Sequence, residues 1–265
     1  TMNSPTKVLE PGIFPNVAED EYFSWPAVSN SRLGPLLKSP AHCKWAMDNP
    51  KEPTEAMRLG SAVDTLVFDP TRFIDKFGVS RQCEAMTQKR TRCSKNGTRR
   101  ISATKIWPEG DAPDGISEEL VQWFCSTHAD PMLESSYDLI TVLSQEASDT
   151  AYEMAKSVVE HPGASVLLDA CEETQLSLVW KEGGLLCKGR LDGLSRELKT
   201  IIDLKTCQDA SPEAFSRKIA DLGYHRQAAM YMRGCSFHGI EVQNYVIIAV
   251  ESEPPYVVAL YTLTE

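Results

Sequence analysis

The sequence predicts an α/β fold in which helices flank a central mixed β-sheet and a basic insertion interrupts the chain. β-Branched and apolar runs bounded by turn residues indicate strands, and apolar residues at a spacing of about 3.6 indicate amphipathic helices. The predicted strands are 173–181, 185–194, 200–206, 242–250 and 255–262. With 265 residues, 42% of them hydrophobic and 24% charged, the chain can bury one substantial core. We therefore predict a single domain over residues 1–265, with its core in residues 170–262.

The N-terminal part is predicted to be an extended arm followed by short helices. Residues 1–25 contain several prolines and few periodic apolar positions, so we expect an extended arm there. Residues 28–38 predict a short helix that ends before Ser39-Pro40. Residues 54–68 predict a second helix, on which Asp64 lies among apolar residues.

The predicted insertion covers residues 79–116, which are polar, basic and without a clear period. Within it, residues 81–105 contain eight Lys or Arg and one Glu, a net charge of +7. The whole chain carries −10, so the other residues carry −17 once +7 is subtracted. Two interpretations stay open, a solvated loop or a loop or small hairpin that binds nucleic-acid phosphates. The arginines expected to contact phosphate are Arg90, Arg92, Arg99 and Arg100.

Further helices are predicted on both sides of the first strands. Ser117–Thr127 begins with an N-cap residue and acidic residues in its first turn. Ser136–Glu160 is the longest helical pattern in the chain and is stopped by Pro162-Gly163. Residues 211–223 and 224–237 predict two consecutive helices that end before the last two strands.

The strands 185–194 and 200–206 carry charged residues that packing explains poorly. Side chains alternate along a strand, so Asp203 and Lys205 share one face of the second strand. If the two strands pair, the Asp192 carboxylate of the first strand converges with them at one end of the sheet. Buried Lys and Asp are rare unless they are paired or bind a metal. The alternative interpretation is a surface salt bridge at a strand end, between Asp203 and Lys205 or between Asp192 and Arg190.

Two carboxylates and one amine suit metal-assisted hydrolysis of a phosphodiester. Carboxylates can hold one or two Mg²⁺ ions, which prefer oxygen ligands. The metal polarises the phosphoryl oxygen, lowers the pKa of water and stabilises the leaving oxygen. The amine would orient the attacking water or neutralise charge in the transition state. We expect Mg²⁺ as the cofactor and Mn²⁺ as a substitute for it.

An ordered set of motifs gives the chain a family resemblance. The motifs are Ser29-Asn-Ser-Arg-Leu-Gly-Pro-Leu-Leu-Lys-Ser-Pro-Ala-His with Leu59-Gly-Ser-Ala-Val-Asp64, Gly189-Arg-Leu-Asp192-Gly, Ile202-Asp203-Leu-Lys205-Thr206 and Gln227-Ala-Ala-Met-Tyr231. The chain resembles the PD-(D/E)xK nucleases and, more narrowly, their RecB-like branch and its RecE-type exonucleases. The resemblance covers about residues 25–75 and 170–262. It implies a restriction-endonuclease-like core with its catalytic residues in the second of these segments.

The resemblance also implies the roles of individual residues. Asp192 and Asp203 would be metal ligands, assisted by the Leu204 carbonyl and by Asp64, and Lys205 would be the catalytic amine. The family usually carries His at the end of its Gly-x-x-x-His motif, whereas this chain carries Asp64 there. A carboxylate can also ligate Mg²⁺.

Several further site residues follow from the same resemblance. A Glu at the start of the strand 173–181 often joins the metal site in this family, which indicates Glu173, the alternative being a solvated strand end. Gln227 and Tyr231 lie four residues apart on one helical face. In the family this face looks onto the active site, whereas the alternatives are a solvated Gln and a core Tyr. Weaker candidates for DNA contact are Arg190, Tyr224 and His225.

The resemblance implies an exonuclease that degrades linear duplex DNA from its ends, 5′ to 3′, and leaves a 3′ single strand for a RecT-like annealing partner. It also implies a ring-shaped homo-oligomer and a phage or prophage gene. The alternatives are a catalytically silent subunit that binds DNA ends and a Cas4-like or endonucleolytic metal-dependent nuclease. No apolar run approaches a membrane span and the N-terminus lacks a signal-peptide core, so we expect a cytoplasmic protein without membrane contact.

Overall fold

The computed structural model describes residues 9–79, 94–95, 99–102, 121–124 and 140–263. The chain divides into two compact units. The first unit comprises residues 1–54, 67–69 and 153–265, and the second comprises residues 55–66 and 70–152. Within the described residues, no helix combines the length and the apolar character that a membrane span needs. One domain over the whole chain stays a prediction.

Strands and helices alternate in groups along the chain. The strands are Gly12–Phe14 (β1), Phe77–Val79 (β2), Arg99–Ser102 (β3), Val121–Phe124 (β4), Thr141–Leu143 (β5), Glu173–Glu182 (β6), Leu185–Ser195 (β7), Thr200–Cys207 (β8), Asn244–Glu251 (β9) and Val258–Leu263 (β10). The α-helices are Glu19–Ser24 (α1), Asn30–Leu36 (α2), Pro40–Asp48 (α3), Glu55–Phe68 (α4), Phe73–Lys76 (α5), Gln145–Glu160 (α6), Pro162–Asp169 (α7), Pro212–Leu222 (α8) and Tyr224–Phe237 (α9).

The first unit is built on a six-stranded sheet with the strand order β1-β6-β7-β8-β9-β10. β8 and β9 are parallel, whereas the other neighbouring strands are antiparallel. Parallel neighbours need a crossover connection, and α8 and α9 lie in the one that joins β8 to β9. The predicted mixed sheet with flanking helices is confirmed, and α2, α4, α8 and α9 match predicted helices.

α9 approaches the sheet closely because glycines leave room at two contacts. A Cβ atom on Gly234 of α9 would lie 2.9 Å from the Trp180 ring of β6. A Cβ atom on Gly189 of β7 would lie 2.9 Å from the Tyr231 ring of α9. The buried cluster on this side of the sheet includes Leu176, Leu178, Leu191, Ile201, Phe215, Ile247 and Ala249. The polar residues of α9 that face the sheet are therefore held against its strands.

The N-terminal residues 9–25 are folded against the sheet, so the predicted extended arm is wrong for this part of the chain. β1 pairs with β6, and α1 buries Tyr22. The rings of Phe14 and Trp25 meet with their centroids 5.1 Å apart, and both belong to one buried cluster with Tyr22. A few aromatic residues supply this burial without any regular spacing, which a search for periodicity does not detect.

Two predicted helices contain strands in the structure. Val121–Phe124, inside the predicted helix Ser117–Thr127, forms β4 and pairs with β3. Thr141–Leu143, inside the predicted helix Ser136–Glu160, forms β5 and pairs with β2, so the helix begins only at Gln145. Both runs contain β-branched or aromatic residues, which favour strands. Short apolar runs fit the helical and the strand period equally, so the sequence pattern alone misassigned them.

The predicted basic insertion lies largely outside the described residues. Arg90 and Arg92 are outside them altogether. The backbone of Arg99 and Arg100 lies in β3, but their side chains are not among the described ones. β3 pairs with β4, so its strand partner lies beyond the segment 79–116. DNA binding by these arginines stays a prediction.

Lys188 of β7 fastens the N-terminal segment to the sheet from a buried position. Its side chain is only 1% exposed, and its Nζ donates to the carbonyls of Tyr22 at 2.6 Å and Trp25 at 3.1 Å. The Val28 backbone adds two hydrogen bonds, to Leu186 and Lys188. Burial, and then the neighbouring guanidinium charges, lowers the pKa of Lys188 from 10.5 to about 8. Burial of the ammonium costs free energy, and its hydrogen bonds to carbonyl oxygens offset part of that cost.

We expect the stability of the wild type relative to Lys188→Met to rise as the pH increases from about 8 towards 10.5. In this window the unfolded chain binds the lysine proton more tightly than the folded chain, so deprotonation favours folding by up to roughly 3 kcal/mol. Urea unfolding of both proteins at several pH values measures the difference, with the exposed Lys181→Met as the control for lysine loss. Parallel stability curves for wild type and Lys188→Met would contradict the prediction.

Candidate active site

The site lies where the pairing between β7 and β8 ends. Their backbones pair over Gly193–Ser195 and Thr200–Ile202. Beyond that point the N–H of Leu204 donates to Asp192 Oδ2 at 3.0 Å, so a carboxylate takes the position of a backbone acceptor. The Leu204 carbonyl lies in the same place, because it contacts the Lys205 ammonium at 3.3 Å. The two strands thus separate around a carboxylate, a carbonyl and an amine.

Asp203 and Lys205 form a close pair in this gap, as the sequence predicted from their shared strand face. The Lys205 Nζ lies 2.5 Å from Asp203 Oδ2, and Asp203 is 1% exposed. Burial opposes the charge of the Lys205 ammonium, but the carboxylates of Asp203 and Asp192 outweigh it and hold its pKa above the ordinary value. The Lys205 side chain is therefore a cation at neutral pH.

Gln227 contacts the second carboxylate oxygen of Asp203. Its Nε2 donates to Asp203 Oδ1 at 2.7 Å and to the Tyr245 hydroxyl at 3.1 Å. α9 starts directly after Gly223, whose φ of 71° turns the chain sharply between α8 and α9. Gln227 lies three residues after Tyr224, the first residue of α9, and it faces β8. The predicted placement of Gln227 beside the carboxylates is observed, and its partner is Asp203.

Tyr231 and Tyr224 of α9 lie at the same site. The Tyr231 ring lies against Gly189. Burial first, then nearby negative charge that includes Asp203 and Asp192, raises the pKa of Tyr231 well above its usual range. The Lys205 ammonium lies 5.3 Å from the centroid of the Tyr224 ring, a cation–π contact. Tyr224 therefore contacts Lys205, which the sequence did not predict.

Other predicted residues have partners elsewhere in the first unit. Glu173 accepts a hydrogen bond from Arg196 Nε at 2.7 Å. The Arg190 guanidinium donates to Ser177 Oγ and to the Val17 carbonyl, and it covers the Tyr22 ring at 4.2 Å. His225 is exposed, and its Nδ1 lies 3.3 Å from the Ile219 carbonyl. These contacts hold the fold, and the roles in metal or DNA binding stay predictions. So does the role of Asp64, which lies half-buried on α4 in the second unit.

Tyr245 is a site residue that sequence reasoning missed. It lies on β9 with no exposed surface, and its hydroxyl oxygen accepts a hydrogen bond from Gln227 Nε2 at 3.1 Å. Burial, and then the Asp203 charge, raises the pKa of Tyr245 well above its usual range. In the sequence it begins the apolar run Tyr-Val-Ile-Ile-Ala-Val, which indicates only a buried strand. The unusual signal was a tyrosine in that run, because a buried hydroxyl needs a partner.

The oxygen atoms of the site suit a hard divalent cation. Asp192, Asp203 and the Leu204 carbonyl supply oxygen, which Mg²⁺ prefers. Within the part of the chain that the structure describes, no group of three His, Cys, Asp or Glu side chains could hold a metal. A cation bound here would therefore be held by two carboxylates and one backbone carbonyl of these residues, with water completing its shell.

Residues 116–265, more than half of the chain, match a family described as a PDDEXK-like domain of unknown function. The chain belongs to this family. The predicted membership of the PD-(D/E)xK nucleases is thereby confirmed, while the RecE-type affiliation stays a prediction. Membership, together with the Asp192, Asp203 and Lys205 arrangement, supports a phosphodiesterase of the nuclease class. A search of curated proteins finds no match.

The solved structures that are similar to this chain include the following two. One is the crystal structure of a candidate exonuclease from Eubacterium rectale, with a TM-score of 0.54 and 13% sequence identity. That match covers 94% of this chain and 78% of the other, and it shows a shared fold. The other is the crystal structure of SSO0001, with 18% identity over 46% of this chain and 57% of that one. Its TM-score is 0.27, which is too low to indicate a shared fold.

Proposed function

We propose that this protein is a Mg²⁺-dependent exodeoxyribonuclease that degrades linear double-stranded DNA from its ends. The observation that carries the proposal is the convergence of Asp192, Asp203, Lys205 and the Leu204 carbonyl at the point where β7 and β8 separate. Oxygen ligands beside a permanently charged amine are the groups that metal-assisted phosphodiester cleavage uses. An ion pair that only stabilised the fold would not explain why the Leu204 carbonyl and the Asp192 carboxylate lie at the same place.

Each residue of the site has a distinct role in the proposed cleavage. Asp192, Asp203 and the Leu204 carbonyl would hold Mg²⁺, which when bound polarises the phosphoryl oxygen and lowers the pKa of water. Lys205 is a cation at neutral pH, because the carboxylates raise its pKa. Its positive charge suits it to neutralising charge on the phosphate in the transition state. Tyr224 covers the ammonium from one side and restricts its position.

The direction of digestion and the partners are part of the proposal. We propose 5′ to 3′ degradation that leaves 3′ single-stranded tails for recombination by a RecT-like annealing protein, and a ring-shaped homo-oligomer that encloses the DNA. The motifs support this RecE-type role, and the E. rectale protein of similar fold is a candidate exonuclease. A ring would also reconcile DNA binding with a net charge of −10, since only its channel need be positive.

The decisive test is a time course on linear duplex labelled at one end, with a covalently closed circle alongside, in Mg²⁺, in Mn²⁺ and in EDTA. We expect the linear DNA to be lost in either metal, the circle to persist, and EDTA to stop the reaction. Separate labels on the 5′ and 3′ ends then give the direction. Asp203→Asn, which has the same shape without the charge, is the matched inactive control.

The other outcomes distinguish the remaining interpretations. Cutting of the closed circle would replace the exonuclease by an endonuclease. Binding of linear DNA both with and without metal, but without any cleavage, would favour a silent subunit that binds DNA ends. Equal activity of Asp203→Asn and the wild type would remove this site from the reaction altogether.

A further inference from the structure

We infer that Tyr245 is a positioning residue which, together with Gln227, fixes the orientation of the Asp203 carboxylate and thereby sets the affinity of the site for its divalent cation. This inference rests on the proposed function for the identity of the ligand. It adds a residue on the neighbouring strand β9 to the site, where the sequence motifs indicate none. Three polar side chains lie within an otherwise apolar core at this place.

The three side chains form a buried cluster between β8, β9 and α9. Ile201 of β8 lies opposite Tyr245 in the parallel register, and Asp203 follows two residues along the same strand face. Tyr245 is 0% and Asp203 is 1% exposed, so neither can exchange its partners for bulk water. Gln227 reaches both of them from α9. A buried polar cluster of this kind costs stability unless its hydrogen bonds are made.

Counting hydrogens gives one consistent arrangement. The Gln227 amide has two N–H bonds, and it uses one on Asp203 Oδ1 at 2.7 Å and one on the Tyr245 oxygen at 3.1 Å. The opposite amide orientation would place its oxygen against a carboxylate, so the nitrogen is assigned here by charge. The Tyr245 oxygen therefore holds the Gln227 amide in the orientation in which its other N–H reaches Asp203 Oδ1. Tyr245 thus acts on Asp203 through Gln227.

This arrangement prevents rotation of the carboxylate. With Oδ1 bound to Gln227, Oδ2 is turned towards Lys205 and the gap between the strands. A carboxylate that is already oriented loses less freedom when it binds a cation. Partners of this kind typically change metal affinity by about 10- to 100-fold when they are removed. We therefore expect Tyr245 to affect the affinity for the cation more than the rate of the chemical step.

The chain offers a matched control in Tyr261 of the next strand, β10. The Tyr261 hydroxyl donates to the Ala210 carbonyl at 2.5 Å, and its ring stacks on Phe215 with centroids 4.7 Å apart. Tyr261→Phe therefore removes one hydroxyl and one hydrogen bond from the same sheet without touching Asp203. Any general effect of losing a hydroxyl from this core should appear in both variants.

The experiment is a Mn²⁺ titration of the full chain without DNA, by calorimetry or by the electron paramagnetic resonance of free Mn²⁺. We expect Tyr245→Phe to weaken Mn²⁺ binding about tenfold or more and Tyr261→Phe to bind like the wild type. The Mg²⁺ concentration for half-maximal cleavage should rise by the same factor, while kcat at saturating Mg²⁺ changes little. Gln227→Met, on a partly exposed helix, serves as a second variant with the same expected direction if Tyr245→Phe fails to fold.

Because Tyr245 acts on the carboxylate through Gln227, the double variant should lose less affinity than the product of the two single losses. Unchanged Mn²⁺ affinity in folded Tyr245→Phe, or equal weakening in Tyr261→Phe, would overturn the inference. So would a wild type that binds no Mn²⁺. Weaker Mn²⁺ binding in Tyr245→Phe, together with a wild type that cleaves no DNA, would support the positioning role and refute the nuclease instead.

Discussion

Lys205→Met is expected to lower the rate of DNA cleavage by about 10³-fold, the loss typical when one stabilising group of a transition state is removed. The same variant is expected to bind Mn²⁺ more tightly than the wild type. A variant that loses activity while gaining cofactor affinity cannot be explained by unfolding. The two readouts together therefore test the role of Lys205 more sharply than the loss of activity does.

The gain in affinity follows from the position of the ammonium. The Lys205 Nζ lies 2.5 Å from Asp203 Oδ2 and 3.3 Å from the Leu204 carbonyl, which are two of the oxygens proposed to hold the cation. A positive charge at these oxygens opposes a second cation there. We expect about tenfold tighter binding, which corresponds to ~1.4 kcal/mol.

Calorimetric titration with Mn²⁺ and a cleavage time course measure the two effects of Lys205→Met. The control is Lys199→Met, which removes a lysine that is paired with Glu241 at 2.7 Å on the surface. Cleavage at the wild-type rate by Lys205→Met would refute its catalytic role. Weaker Mn²⁺ binding would show instead that the ammonium supports the cation site rather than competing with it.

Asp192→Asn is expected to lose cleavage by a comparable factor, about 10³-fold, and to remain as stable as the wild type. Asparagine keeps an oxygen that can accept the hydrogen bond from the Leu204 N–H, but it removes the charge that a cation needs. Asp192→Ala removes both the acceptor oxygen and the negative charge. It should therefore be equally inactive and also less stable by about 1–3 kcal/mol, the cost of an unsatisfied buried N–H.

Urea unfolding and the cleavage assay on both Asp192 variants separate the two roles of the carboxylate. Cleavage by Asp192→Asn at the wild-type rate would exclude Asp192 as a metal ligand. Equal stability of the Asn and Ala variants would mean that the Leu204 N–H finds another acceptor when β7 offers none.

The sequence by itself predicted that residues of β7, β8 and α9 lie together. Strand alternation predicted that Asp203 and Lys205 share a face, and the family resemblance implied that Gln227 lies beside them. The first of these predictions depends only on local geometry, namely the period of a strand. The convergence of Asp192 with Asp203 depended on pairing of β7 with β8. Only residues 196–199 separate these two strands, and so short a connection suits an antiparallel pair.

The tertiary structure decided features that have no local signal. Tyr245 became a partner of Gln227 at this site only because the parallel crossover placed β9 beside β8. The N-terminal residues became part of the fold because Lys188 and a few aromatic rings bind them, without any periodic pattern. Periodicity indicates which side of a helix or strand is apolar. Contacts between distant segments depend instead on the burial of whole surfaces and on the need to pair each buried polar group. That is the physical reason why the sequence determined the motif residues and the structure determined how they are held.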